Sequence, residues 1–186
     1  YKIVLHVNNY IFLGHNTKNG GLNMEKNILR KMSYGIYIVS TMDSGRATGC
    51  AVNSAMQINV SPETVAISIN RKNFTHQCIA ECGLFAINLI AEDSNPILIG
   101  RFGFCSGRDA NKFQDVDFKI VKEIPVLTDT CGYAVCKVIN KFETESHTVF
   151  LGEVIESKMF GNNRIPMTYS YYQKVGRKSI QNGARA

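Results

Sequence analysis

Tyr34-Gly35-Ile36-Tyr37-Ile38-Val39-Ser40-Thr41, then Asp43-Ser44-Gly45, then Arg46-Ala47-Thr48-Gly49-Cys50-Ala51-Val52-Asn53 is the stretch that decides the fold. The first eight residues are rich in β-branched and aromatic side chains, which suit a pleated, half-buried surface. Asp-Ser-Gly reads as a turn, and the residues after it as the return strand of a hairpin. The pattern continues outward. Residues 55–60 extend the return strand around a bend, Ser61-Pro62-Glu63 is a turn, and Val65-Ala66-Ile67-Ser68-Ile69 is apolar enough to be a buried strand. Further strands fall at 84–90, 132–142 and 147–157, with Gly152 marking a bulge or a close backbone approach.

Helical patterns are short. Residues 25–32 place Ile28, Leu29 and Met32 on one side. A helix begins at Asn73 and ends near Cys82, with Gly83 as its C-terminal cap. Another runs over 95–101 after Ser94, with Pro96 in its first turn, and 109–113 and 169–174 read as brief helical segments. The tally is about six strands and two or three short helices, joined mostly as hairpins rather than as β-α-β units. This predicts a mainly β fold: an antiparallel barrel with helices plugging its ends. A doubly wound dinucleotide fold is disfavoured, because no G-x-G-x-x-G follows the first strand and no G-x-x-x-x-G-K-[ST] occurs.

The chain has 186 residues, 45% hydrophobic and 19% charged, which fits one globular domain and excludes a disordered or fibrous class. Residues 24–174 read as that domain, 1–23 as an extension of unknown role, and 175–186 as a tail or linker start. The longest apolar runs fall short of the roughly 18 residues a spanning helix needs. A net charge of +6 comes from basic residues scattered without a run of four. That is a solvated surface rather than a nucleic-acid footprint. The six cysteines (Cys50, Cys78, Cys82, Cys105, Cys131, Cys136) include no C-x-x-C. They read as small buried residues of a reducing cytoplasm, and a metal site at His76, Cys78 and Cys82 is the weaker alternative.

No G-x-S-x-G elbow, H-E-x-x-H or paired carboxylates point to a hydrolase. Three clusters carry ligand chemistry instead. Thr48-Gly49-Cys50-Ala51-Val52-Asn53-Ser54 supplies small residues and hydroxyls where a ligand can lie against a strand. Ser68-Ile69-Asn70-Arg71-Lys72-Asn73-Phe74-Thr75-His76 ends a strand in two positive charges and opens a helix, an arrangement suited to phosphate. Phe102-Gly103-Phe104-Cys105-Ser106-Gly107-Arg108-Asp109-Ala110-Asn111-Lys112-Phe113 sits in a long polar segment of the kind that covers a ligand. Each also has an ordinary structural reading: a tight strand crossing, a capped helix start and a capping turn.

These clusters, with Leu29-Arg30-Lys31-Met32-Ser33, Ile99-Gly100-Arg101, Lys112-Phe113, Gly132-Tyr133-Ala134, His147-Thr148-Val149-Phe150-Leu151-Gly152-Glu153 and Pro166-Met167-Thr168-Tyr169, resemble in order the flavin reductase-like, FMN-binding split-barrel family. Within it the match is nearest to flavoredoxins and to flavin domains that precede a rubredoxin module. The resemblance implies a Greek-key antiparallel split barrel, a homodimer and non-covalent FMN. It implies electron flow from NAD(P)H to free flavin or to a protein acceptor such as rubredoxin, or a pure FMN electron carrier that never meets a nicotinamide. Carried over by residue, Asn53 and Ser54 face the flavin ring or ribityl chain. Ser68, Asn70, Arg71 and Thr75 hold the phosphate and its approach, Phe104 and Ser106 lie in the covering loop, and His147, the candidate catalytic residue, points to the nicotinamide side or the flavin edge. Thr48, Val52, Ile69 and His76 complete the cofactor-binding set, with no metal, membrane or nucleic-acid partner implied.

Overall fold

The computed structural model describes residues 28–161 and 163–176. The readings of 1–23 as an extension and of 177–186 as a tail lie outside them. Among the described residues there are nine strands: β1 (Tyr37–Asp43), β2 (Arg46–Val52), β3 (Ala55–Val60), β4 (Glu63–Asn70), β5 (Leu84–Leu89), β6 (Phe118–Val121), β7 (Ile124–Leu127), β8 (Gly132–Glu143) and β9 (His147–Met159). Helices α1 (Phe74–Cys82), α2 (Ile97–Phe104) and α3 (Tyr169–Tyr171) complete the set, α3 widening into a π-turn at Tyr172–Gly176.

The strands form a seven-stranded sheet in the order β2-β1-β5-β8-β9-β4-β3, antiparallel throughout, with β6-β7 as a separate hairpin. The two edge strands, β2 and β3, are consecutive in the chain. Only Asn53 and Ser54 separate Val52 from Ala55, a reach of about 11 Å at full extension. The sheet must therefore curl until its edges approach at that corner, although β2 and β3 do not pair. Ser54 pins the seam: its carbonyl accepts from Ser68 N at 2.9 Å and its Oγ donates to Ser68 O at 2.7 Å. This is the split barrel that the resemblance implies.

The opening hairpin turns through Ser44 and Gly45, both at positive φ (47° and 86°), the conformation whose twist matches flanking strands. β1 is buried on both faces. Ile38 joins the cluster under α2 and the C-terminal segment, and its neighbour Val39 joins the barrel interior, which accounts for an unbroken apolar run. Register shifts in the β8-β9 pair leave Ile155 and Ile139 unpaired and bend the long hairpin. α1 plugs one end through the fully buried Ile79, and Gly83 ends it in the left-handed region (φ 71°) with its N–H on Ile79 O. Gly152 is a close approach: a methyl there would lie 2.5 Å from Phe85 Cζ.

Several sequence expectations need correction. The strand over 34–41 begins at Tyr37, because residues 34–36 pair with the C-terminal segment through Ile36 N to Met167 O and Tyr169 N to Tyr34 O. Of the helix over 25–32, the described part is a 3-10 turn at Ile28–Lys31, with Ile28, Leu29 and Met32 exposed rather than packed on this chain. Residues 109–113 are turns, not helix. The β6-β7 hairpin escaped the sequence reading, although Ile124, Val126 and Leu127 are fully buried. Among the described residues no helix is long and apolar enough to cross a membrane.

Candidate functional site

The seam at Asn53-Ser54 opens into a cleft made of two adjoining cavities. The first, of about 280 Å³, lies against the seam, β4, His147, and the aromatic rings of Phe104, Tyr169 and Tyr172. The second, of about 220 Å³, runs past Asn70, Asn73 and Phe104 toward Lys72, Ser106 and Lys112. Ala51, Asn70, Asn73, Gly103 and Phe104 border both, so the two form one bent cleft.

Each wall follows from local structure. Along β4, Ile67 and Ile69 point into the barrel core, while the intervening Ser68 and the terminal Asn70 are left half-buried at the cleft. His147 opens β9 directly opposite Asn70, and its Nδ1 pairs with Ser146 Oγ at 2.8 Å. The end of α2 brings Gly103 and Phe104 over the cleft. Tyr169 and Tyr172, three apart at the C-terminal turn, close the apolar end.

Of the residues singled out in the sequence, Val52, Asn53, Ser54, Ser68, Ile69, Asn70 and His147 line the first cavity, and Phe104 lines both. Ser106 lines the second. Thr48, Arg71, Thr75 and His76 line neither. Thr48 is buried within β2, and its Oγ1 has no hydrogen-bond partner. Arg71 turns outward to the β8-β9 connection, its guanidinium 3.4 Å from Thr144 O. Thr75 is buried beneath the second cavity beside the Cys50 thiol. His76 sits on the far side of β4, its Nε2 2.8 Å from Thr148 Oγ1 and its ring 5.3 Å from that of Phe150. Burial and the Arg71 charge hold its pKa below the usual histidine value. Cys78 and Cys82 share α1 with it, and among the described residues no three His, Cys, Asp or Glu side chains group to hold a metal.

The helix start also departs from expectation. Asn73 Oδ1 accepts from Thr75 N, Asn70 Oδ1 from Lys72 N, and Asn73 O from His76 N. The amides that the sequence offered to a phosphate are thus largely bonded within the turn. Positive charge borders the cleft from Lys72 and, buried, from Lys112, which the sequence reading placed in its third cluster without giving it a role. Lys112 is 3% exposed, and its Nζ donates to Gly49 O at 2.8 Å and Phe102 O at 3.2 Å. Burial lowers its pKa from the usual lysine value. The available signal was its place beside Phe113, whose ring packs edge-on to Phe102 and draws the lysine inward. Tyr169 and Tyr172 carried an equally faint signal, their helical spacing. One end of the cleft is apolar and aromatic, the other narrow and cationic, so a planar ring system with an anionic tail fits it end to end.

Fold and cleft together define a flavin-handling split barrel. Residues 29–176 match the flavin reductase like domain, and the chain belongs to that family. It is 34% identical over 156 residues to a high molecular weight rubredoxin of Moorella thermoacetica, covering 83% of this chain and 68% of that protein. It is 30% identical over 151 residues to a ferric-chelate reductase (NAD(P)H) of Archaeoglobus fulgidus, covering 80% and 89%. Among solved structures, an NADH:FAD oxidoreductase of Streptomyces globisporus superposes with a TM-score of 0.72 at 22% identity, covering 78% of this chain and 86% of that one.

Proposed function

We propose that this protein binds FMN in the bent cleft, takes electrons from NAD(P)H and passes them to free flavin or to a redox protein such as rubredoxin. The carrying observation is the cleft's polarity: aromatic walls at the seam and a buried lysine at the other end, in a member of the flavin reductase like family. When bound, the flavin supplies the two-electron chemistry. The chain's own residues bind and position. Val52, Asn53, Ser54, Ser68 and Ile69 line the ring end, Phe104 covers the bend, and Asn70 and Ser106 lie toward the phosphate. His147 reaches the open side from which a nicotinamide would approach. No general acid or base is required of the barrel, consistent with the absence of a hydrolytic constellation in the sequence.

The Archaeoglobus relative, named for NAD(P)H-dependent reduction, supports an enzyme. The Moorella relative, named a rubredoxin, supports the second reading: an FMN electron carrier without nicotinamide activity of its own. We also read the protein as a homodimer. Edge strand β3 leaves Met56, Ile58 and Val60 exposed, and the β8-β9 hairpin leaves Phe142 and Met159 exposed. An uncovered edge bearing apolar side chains invites a second copy. The six cysteines are free thiols, which suits a reducing cytoplasm.

The visible spectrum of the purified protein tests the flavin. A yellow protein that releases FMN on heating supports the reading, and a colourless one that takes up no added flavin overturns it. Anaerobic mixing with NADH and NADPH then separates enzyme from carrier, because only the enzyme bleaches within its turnover time. Light scattering on the eluting species tests the dimer.

A further inference from the structure

We infer that Ser146 is a positioning residue. Its hydroxyl holds the His147 imidazole in one orientation and one tautomer, with the proton on Nε2, so that the ring offers a single donor to the carboxamide oxygen of a nicotinamide in the cleft. This rests on the enzyme reading above and adds to it the atom that meets the nicotinamide and the residue that sets its proton. The backbone here is already fastened. Thr144 N and Oγ1 both donate to His147 O, at 2.8 and 2.9 Å, and His147 N donates back to Thr144 Oγ1 at 3.1 Å. Arg71 N donates to Ser146 O at 2.9 Å, and Asn70 pairs with His147 across the β4-β9 ladder. What stays free is the ring's own rotation, and a half-turn about its second torsion exchanges nitrogens for carbons.

One bond stops that rotation: Ser146 Oγ lies 2.8 Å from His147 Nδ1. Distance alone lets either atom donate, and basicity decides between them. An imidazole nitrogen is a far stronger base than an alcohol oxygen, so the hydroxyl donates and Nδ1 accepts. The ring's own proton then sits on Nε2. Among the described residues Nε2 has no hydrogen-bond partner, and no carboxylate pairs with the ring. His147 is half-buried and borders the first cavity, whereas Ser146 is exposed and borders neither. A serine trimming a turn accounts for the hydroxyl's contact alone. It does not need the second nitrogen to be left unpaired on a residue that borders a ligand-sized cavity, and a nicotinamide donor does.

The test reads the tautomer and the reaction separately. The full chain with FMN bound is labelled with nitrogen-15 at histidine and examined by NMR at about pH 8.5, where ordinary imidazoles are neutral. The signal missing from His147→Gln identifies the ring. The parent should show the proton on Nε2 and an accepting Nδ1. Ser146→Ala should show a mixture of the two tautomers, and Ser146→Thr, which keeps the hydroxyl, should restore the single one. Anaerobic reduction of the bound FMN by NADH and by NADPH is then followed by absorbance. Ser146→Ala should raise the KM for the nicotinamide about 2- to 10-fold, the worth of one hydrogen bond between neutral groups. The limiting rate should stay nearly unchanged, because that bond is made in ground and transition states alike. Ser146→Thr should recover the parental KM. A parent ring protonated on Nδ1 overturns the inference and leaves the flavin reading standing. A Ser146→Ala protein that keeps the single tautomer or the parental KM does the same. A parent that holds no FMN, or whose FMN neither nicotinamide reduces, overturns the enzyme reading and the inference together.

Discussion

Asn88 Nδ2 donates to Ser40 Oγ at 2.9 Å, with both side chains fully buried. The bond belongs to a network whose members are all satisfied. Asn88 also donates to Ile38 O and accepts from Leu127 N, and Ser40 donates to Pro125 O. These bonds fasten the β6-β7 hairpin to the sheet, where packing alone would leave its orientation open. Asn88→Ala strips Leu127 N–H of its acceptor and opens a cavity, and is expected to cost roughly 2–4 kcal/mol in urea unfolding. Asn88→Leu refills the volume without restoring the acceptor, so it should remain destabilised. A Leu variant as stable as the parent would reduce the network to packing.

Gly152 and Phe85 make the second prediction. A Cβ at 152 would meet Phe85 Cζ at 2.5 Å, Phe85 Cε1 at 2.7 Å and Cys136 Cβ at 2.8 Å. Both neighbours are fully buried and cannot swing aside freely. Gly152→Ala should therefore cost about 1–3 kcal/mol from overpacking. Phe85→Leu in the same chain makes room, so the double variant should be more stable than the sum of the two single losses. Strict additivity would show that the strain lies elsewhere.

His76 gives stability a dependence on pH. Its pKa is depressed by burial first and by Arg71 second, with Lys141 adding to the depression and Glu143 opposing it. A histidine whose folded pKa lies below its unfolded value, about 6.5, binds its proton more readily in the unfolded chain. Its contribution is therefore complete above about pH 6.5 and is lost as pH falls through the lower folded value. Thermal unfolding followed from pH 8 to pH 5 should show a steeper decline for the parent than for His76→Gln. Parallel profiles would mean that His76 titrates alike in both states.

The hairpin over 37–52 was legible because its turn demands two residues at positive φ and its strands carry unambiguous composition. The seam at Asn53-Ser54 and the strand-end residues Ser68 and Asn70 were legible because small and polar residues interrupt apolar strands there. The β6-β7 hairpin was not. Its four-residue strands contain Pro125 and are too short to display a period. Lys112 was visible in its cluster but carried no role there, for a different reason. A lysine in a polar loop looks like solvated surface, and only the three-dimensional path of residues 102–113 turns it under β2.

Arg71 was the sequence's choice for the phosphate, since an arginine after a strand, before a helix, has the fork that phosphate prefers. The chain turns it the other way. Its backbone N–H donates to Ser146 O and its guanidinium reaches Thr144 O, both in the β8-β9 connection. There it steadies the loop that leads into His147 rather than entering the cleft. Arg71→Ala is accordingly expected to keep its flavin at the parental ratio to protein, measured by absorbance after gel filtration. It should lose less than about 1 kcal/mol of stability, as an exposed polar contact does. Flavin lost from Arg71→Ala but retained by Lys112→Met would reverse the assignment, moving the phosphate out of the second cavity to the β8-β9 side.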